Sequence, residues 1–488
     1  MPRTRFATGG TIDGFTLGAR LHVGGMAVLW EVTHPDHPGL PMLMKVPRLA
    51  EGEDPAAIVG FEMELMILPR LSGPHVPRFV AASGFERRPY LVMERILGPS
   101  LLSRMSSLPR PVEEIAAIGG RVAEALDSLH RQDVVHLDVK PANILFRPET
   151  GEGGGEAVLV DFGLSHHRLL PDLMQEEFRL PYGSIPYMAP EQVMGVRGEP
   201  RSDLFALGAV LYQLTTGVLP FGDPQGLKAV KRRLWRDPVP PRVLRRSCPP
   251  WLQEIILRCL EVDPARRHPT AAQLAFDLRH PEQVALTARA EKSGRDSWAT
   301  VLRRRFGRDG PAQAFRSAGA GAAGTAQAAP IIAVAVDLAE EHAAMAEALR
   351  AGLRPIMASL PGARLACINV LQLNRVAIDT TLDEESQNRH VRRLVALRHW
   401  AAPLGLPEGR ITFHVLEASD PAHALIEYAT ANRVDHIVMR ARANSLRRRL
   451  LGSVSAEVAS RAPCTVTVVR PRATDILGAT AAPEPAQV

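Results

Sequence analysis

The sequence predicts two folded segments of different architecture. The first, from about residue 10 to residue 280, mixes strand-like and helix-like stretches in irregular order. The second, from Ile331 onward, reads as an α/β fold with a doubly wound parallel sheet. Three observations carry this division. Residues 10–280 contain no internal repeat. Residues 281–329 change character: a basic stretch from Arg289 to Arg308 runs into SAGAGAAGTAQAAP, too poor in large apolar groups to pack, and the whole is expected to be a flexible linker. From Ile331 the alternation of strand and helix becomes regular.

The elements of the second segment can be taken in order. IIAVAVD (331–337) is a short buried-strand run, followed by a helix expected from Glu340 to about Met357. RLACINVL (364–371) is a second strand, with a helix from about Glu385 to Ala402. ITFHVLE (411–417), a helix from Ala422 to Asn432, HIVMR (436–440), a helix from Ser453 to Arg461 and TVTVV (465–469) complete the series. Strands separated by helices of about ten residues or more predict a parallel sheet covered on both faces. The domain is expected to span 330–472, and the Ala/Pro-rich tail, 473–488, to be disordered.

Composition excludes several classes. Of the 488 residues, 46% are hydrophobic and 23% charged, an ordinary globular mix. Four scattered cysteines form no CxxC pair, which argues against a disulfide scaffold or a cysteine zinc site. No apolar run reaches about 18 residues and the N-terminus lacks a signal-peptide core, so a cytoplasmic protein without a membrane partner is expected. The net charge of +6 comes from 58 basic and 52 acidic residues. Five of the basic residues are lysines, which leaves 53 arginines. Scattered arginines at so small an excess give no reason to expect nucleic-acid binding. The scarce lysines are worth locating.

Chemistry concentrates in HLDVKPANIL (136–145) and LVDFGL (159–164). Asp138 and Asn143 lie five apart, and Asp161 follows Asn143 after 17 residues. Transfer of a phosphoryl group from a nucleotide needs a group that orients the attacking hydroxyl, oxygens that hold Mg²⁺, and cations against the phosphates. Asp138 suits the first task, Asn143 and Asp161 the second, and Lys140 the third.

These residues resemble the catalytic loop and DFG motif of the bacterial eukaryotic-like (Hanks-type) serine/threonine protein kinases. The resemblance covers about residues 12–280 and implies an α+β bilobal protein-kinase fold, ATP and Mg²⁺ as cofactors, and protein substrates. GSIPYMAPE (183–191) matches the end of the activation segment. SDLFALG (202–208) matches the buried Asp-bearing helix beneath the catalytic loop. DPARRHPT (263–270) puts Arg267 where the family pairs an arginine with Glu191. Lys45 in PMLMKV takes the phosphate-anchoring position and Glu64 the helix position that pairs with it. YLVMERILGPSL (90–101) resembles the adenine strand and hinge, with Met93 as gatekeeper and the hinge at Arg95–Leu97. Val28, Met93, Glu94 and Ile96 are thereby implied to line the nucleotide. Lys140, two residues after Asp138, is the arrangement of Ser/Thr-specific members.

Two departures stand out. In LGARLHVGGMAVLWEV the tip glycines Gly24 and Gly25 are kept, but His22 and Ala27 replace the outer glycines. Leu137 replaces the arginine that in many kinases holds an activation-loop phosphate. Activity is therefore expected not to depend on activation-loop phosphorylation, with Ser165 and Tyr182 as the hydroxyls to remove in a test. The same departures leave a second reading open, a pseudokinase or nucleotide-sensing scaffold without phosphotransfer.

The second segment is similar to the universal stress protein family, on VAVD ending at Asp337 and on MRARANSLRRRLLGSVSAEV. In ATP-binding members glycines of this loop and the next helix N-terminus hold phosphates. Gly452 and Ser453 survive here, while Arg440 and Ala443 replace the first two glycines. The resemblance implies a nucleotide site at Asp337, Gly452 and Ser453, or else a structural or homodimer-forming domain. The run Arg447–Arg449 reads as a solvated helix face.

Overall fold

The computed structural model describes residues 6–49, 55–148, 155–178, 181–224, 227–306, 329–338, 343–372, 388–407, 409–441 and 453–470. They form two compact units, one built mainly before residue 327 and the other mainly after it.

The first unit opens with a six-stranded antiparallel sheet: β1 (Thr11–Ile12), β2 (Phe15–Val23), β3 (Ala27–Thr33), β4 (Met42–Pro47), β5 (Phe79–Ser83) and β6 (Tyr90–Glu94), in the order β1-β2-β3-β4-β6-β5. Period-two alternation sends Met42, Met44 and Val46 into a core with Trp30, Val32, Tyr90 and Val92. Lys45 lies on the opposite face, across from Leu29 of β3 and Leu91 of β6. Between β4 and β5 the helix Pro55–Ile67 carries Glu64.

The remainder of the unit is mostly helical. Helix Val112–His130 buries Ile115, Ile118, Val122, Leu126 and Leu129 at three- and four-residue spacing. Glutamates in its first turn and His130 in its last suit the helix dipole. Helix Arg201–Thr216 is apolar nearly all round and buried along almost its whole length. Short antiparallel pairs frame the loop that follows helix Val112–His130: β7 (Val134–Val135) with β10 (His166–His167), and β8 (Ile144–Phe146) with β9 (Ala157–Leu159).

The expectation of a flexible linker from residue 281 is corrected for its first part. Residues 281–306 include helices Ala288–Glu291 and Trp298–Phe306. Glu254, almost fully buried, accepts from the Thr287 amide (3.0 Å) and hydroxyl (2.9 Å), the Ala290 amide (3.1 Å) and Arg289 (3.1 Å). Gln253 donates to the carbonyls of Arg289, Ala290 and Lys292. Lys292 and Arg304 pair with Asp237 and Asp296. The segment is polar because it docks through hydrogen bonds and ion pairs, which a hydropathy reading mistakes for solvation. Residues 307–328 and the tail after 470 lie outside the described residues.

The second unit is a five-stranded parallel sheet: β11 (Ile331–Ala335), β12 (Arg364–Gln372), β13 (Ile411–Ala418), β14 (His436–Arg440) and β15 (Thr465–Val469), in the order β13-β12-β11-β14-β15. Helices Ala343–Ser359, Arg389–Ala401, Pro421–Ala431 and Ser453–Arg461 connect them. Asn388 and Asp420 cap two of these by accepting from amides of the first turn. Ala333, Ile368, Leu425, Tyr428, Ile437 and Val458 share one core. The last helix and the last two strands match their expected bounds.

Candidate active site

Lys45 projects from β4 between two carboxylates. Its Nζ donates to Glu64 Oε2 at 2.6 Å and to Asp161 Oδ1 at 2.9 Å. Glu64 Oε1 also accepts from the Phe162 amide at 3.4 Å, so one glutamate ties the helix to both the strand and the DFG turn. That helix approaches the turn closely at Gly60, whose carbonyl would lie 3.0 Å from a Cβ added at Gly163. The electrostatics follow. The Lys45 ammonium holds the Asp161 carboxyl down to about 2. Burial opposes the charge on Lys45, but Asp161 and Glu64 outweigh it and raise its pKa. Burial pushes the Glu64 carboxyl up, against the pull of Lys45.

The second cluster lies on the loop after β7. Asp138 is 6% exposed. Its Oδ2 accepts from Lys140 Nζ (2.7 Å) and Asn143 Nδ2 (3.0 Å), and its Oδ1 from the Ser184 amide (2.9 Å). The Ser184 contact runs through the backbone. Asn143 Nδ2 also donates to the Asp138 carbonyl, which leaves Asn143 Oδ1 with no partner among the described residues. Beneath the loop, buried Asp203 accepts from the amides of His136 (2.9 Å) and Leu137 (2.8 Å) and from His130 Nε2 (2.9 Å). Leu137 and Asp161 both sit at positive φ, 63° and 70°, a strained backbone held by these bonds. Glu191 and Arg267 form the expected pair, both fully buried, at 2.5 and 2.7 Å.

The remaining expected residues divide. Gly24 and Gly25 form the tip of the β2–β3 hairpin, closed by the Gly24 amide donating to the Ala27 carbonyl at 2.9 Å. The His22 imidazole lies beside this tip, 3.4 Å from where a Gly24 Cβ would stand. Val28 lies on β3, Met93 is buried on β6, and Ile96 follows it with no hydrogen bond to its amide or carbonyl among the described residues. The Glu94 carboxylate is committed to a bidentate pair with Arg147 and accepts from the Arg78 amide, and its own amide donates to the Arg78 carbonyl at 2.8 Å, so neither its side chain nor its amide is open to a ligand. Ser165 is a correction: it is fully buried and its hydroxyl donates to the His136 carbonyl at 3.1 Å, so it is a structural hydroxyl and a poor choice for a phosphorylation test.

Sequence reasoning missed Arg147, and also Arg233, which is buried and donates to the Ile185 and Met188 carbonyls of the activation segment. It missed Asp172 and Arg197 as well, paired at 2.7 Å. No local signal marks them, because their partners are distant in the chain.

In the second unit the strand order reverses at β11, and Asp337 follows that strand while Arg440 ends its neighbour β14. Ligands of such sheets bind at this point. The Arg440 guanidinium reaches the Met345 sulfur at the start of the first helix. Ser453 is exposed as the first residue of the last helix. Ala443, Arg447–Arg449 and Gly452 lie outside the described residues.

The protein kinase domain family matches residues 41–277, and the universal stress protein family matches residues 330–470. Among curated relatives, the serine/threonine-protein kinase Pkn1 of Myxococcus xanthus is 32% identical over 286 residues, 57% of this chain and 40% of that protein. A probable serine/threonine-protein kinase of Clostridium perfringens is 30% identical over 239 residues, 48% of this chain and 34% of that one. PknB of Mycobacterium leprae is 28% identical, covering 54% and 42%. The chain thus spans well under half the length of these relatives. A crystal structure of the Mycobacterium tuberculosis PknI kinase domain covers 57% of this chain and 99% of that one, at 26% identity and a TM-score of 0.44. Together with the residues that converge in the first unit, these family matches identify residues 41–277 as a protein kinase domain and residues 330–470 as a universal stress protein domain.

Proposed function

We propose that the protein transfers the γ-phosphate of ATP to serine or threonine hydroxyls of protein substrates. The observation that carries this reading is the convergence of Lys45, Glu64 and Asp161 on one side and Asp138, Lys140 and Asn143 on the other. Lys45, held by Glu64, would grip phosphate oxygens. The free amide and carbonyl of Ile96 suit the polar edge of adenine, with Val28 and Met93 as apolar neighbours and Gly24 and Gly25 letting backbone amides approach the phosphates. Asp138 would accept the hydrogen bond of the attacking hydroxyl, and Lys140 would offset charge on the transferred group.

The donor set fits Mg²⁺. No group of three or more His, Cys, Asp or Glu side chains among the described residues is arranged to hold a metal alone. Asp161, ionised and half-exposed, and the unpartnered Asn143 Oδ1 are hard oxygens that would share the ion with phosphates, the usual manner of Mg²⁺. When bound, the ion would neutralise phosphate charge.

The altered hairpin at His22 and Ala27 keeps its glycine tip, and the polar residues that a pseudokinase is free to lose are all in place. For the second domain we propose a homodimer-forming role through β15, which among the described residues pairs on one side only. A nucleotide role there must accommodate Arg440. No described helix is long and apolar enough to cross a membrane, and a cytoplasmic location is proposed. The test is transfer from labelled ATP with Mg²⁺ to protein, run beside Asp138→Asn and Lys45→Met. Transfer abolished by both supports the kinase; nucleotide binding without transfer to any acceptor would sink it.

A further inference from the structure

Leu137 leaves the activation segment without the arginine that elsewhere grips a phosphate, yet the segment is held. Asp172, 8% exposed, lies nine residues after Gly163 and immediately before the short helix Leu173–Glu177. Its Oδ2 accepts from Arg197 Nε at 2.7 Å and from His166 Nδ1 at 3.1 Å, and its Oδ1 accepts from the Gln175 amide at 3.2 Å. Arg197 follows the helix Pro190–Val193 and is also mostly buried. Its Nη2 donates to the carbonyls of Leu164 (2.8 Å) and Ser165 (3.4 Å). Ser165 in turn bonds through its amide to the Phe162 carbonyl and through its hydroxyl to the His136 carbonyl. The chain of contacts therefore runs from Asp172 through Arg197 to the backbone three residues after Asp161, and on to the loop that carries Asp138.

We propose that Asp172 is a built-in anion which, through Arg197, positions the turn bearing Asp161, so that the active arrangement forms without phosphorylation of the activation segment. This rests on the kinase reading above and extends it by naming positioning residues. A phosphate orders such segments because it brings fixed negative charge to a cation. Here the carboxylate supplies that charge from within the segment, and the guanidinium directs Nε to the anion and Nη2 to the backbone next to the site. Burial alone would favour protonated Asp172, but Arg197 and His166 outweigh it and keep its pKa below the ordinary carboxylate range. Asparagine at this position would keep the helix cap and remove the charge, which separates the two roles.

The test uses the full chain, treated with phosphatase and shown phosphate-free by mass, with Mg-ATP and myelin basic protein as acceptor. Phosphate-free wild type is expected to transfer without a lag. Asp172→Asn and Arg197→Met are expected to lower kcat roughly ten-fold or more and leave the KM for ATP within about three-fold, since neither touches the nucleotide residues. Asp172→Glu should recover part of the loss and keeps the test open if the other variants fold poorly. Hydrogen exchange at 164–178 should quicken in Asp172→Asn. Wild-type kcat and exchange in Asp172→Asn, or wild type that stays silent until its activation segment is phosphorylated, would overturn the proposal while the kinase reading stands. Protected amides in a wild type that never transfers phosphate would instead overturn the kinase reading.

Discussion

Replacing Arg267 by methionine probes the most deeply buried charge pair in the kinase domain. Both Arg267 and Glu191 have no exposed side-chain surface. The guanidinium makes two hydrogen bonds to the carboxylate and three more to the carbonyls of Arg201 (2.7 Å), Glu261 (2.9 Å) and Val262 (3.2 Å), and it lies over the Phe205 ring at 5.0 Å. Methionine fills much of the same volume but leaves Glu191 with only the Ser202 hydroxyl, at 2.7 Å. Removing one partner of a buried pair costs about 3–5 kcal/mol, because the remaining charge is neither paired nor hydrated. For a domain of this size each kcal/mol moves Tm by about 2–4 °C, so the loss should be roughly 6–20 °C. Thermal unfolding followed by tryptophan fluorescence reports it, since Trp30, Trp235, Trp251 and Trp298 lie in the first unit and only Trp400 in the second. The double variant Glu191→Leu, Arg267→Met should recover part of the loss. A loss below about 1 kcal/mol, or a double variant no better than the single one, would show that water or rearrangement relieves the buried charge.

Three further outcomes are expected. The Asp161 pKa is depressed, so its ionised form contributes stability above about pH 4 that is lost as pH falls toward about 2. The stability difference between wild type and Asp161→Asn should therefore close over that interval in thermal scans, and a pH-independent difference would contradict the ion pair with Lys45. Glu254→Ala leaves the Thr287 amide without an acceptor and the Ala290 amide with only the Thr287 carbonyl (3.0 Å), at about 2 kcal/mol, so local opening of 285–306 should rise roughly 30-fold. Trypsin cleavage after Arg289, Lys292 and Arg295 measures this, and unchanged cleavage would mean the segment is held by other contacts. Ser165→Ala should lose about 1 kcal/mol of stability, and mass spectrometry of the active protein should find no phosphate on Ser165, whose hydroxyl is buried against the His136 carbonyl. Phosphate found there would require the segment to open.

Much of the site was legible because its chemistry is local in the chain. Asp138, Lys140 and Asn143 share one loop, and their spacing delivers the Lys140 and Asn143 side chains to the Asp138 carboxylate. The parallel sheet was legible for a similar reason, since strands buried on both faces appear as contiguous apolar runs. What could not be read were partners chosen across long separations. Arg147 takes the Glu94 carboxylate from 53 residues away, and Arg197 takes Asp172 from 25. An isolated arginine looks alike whether it faces water or a buried carboxylate, and this chain has 53 of them.

The sequence by itself determined two domains, the order of their elements and the residue types at the positions proposed for phosphate, metal and hydroxyl, because these depend on short-range spacing and on periodic burial. Tertiary structure alone decided which charges are paired, that residues 281–306 dock on the kinase domain, that Ser165 is buried, and that an aspartate stands in the activation segment opposite Arg197. Those outcomes depend on distance and desolvation in space, and a charge has neither until the chain has folded around it.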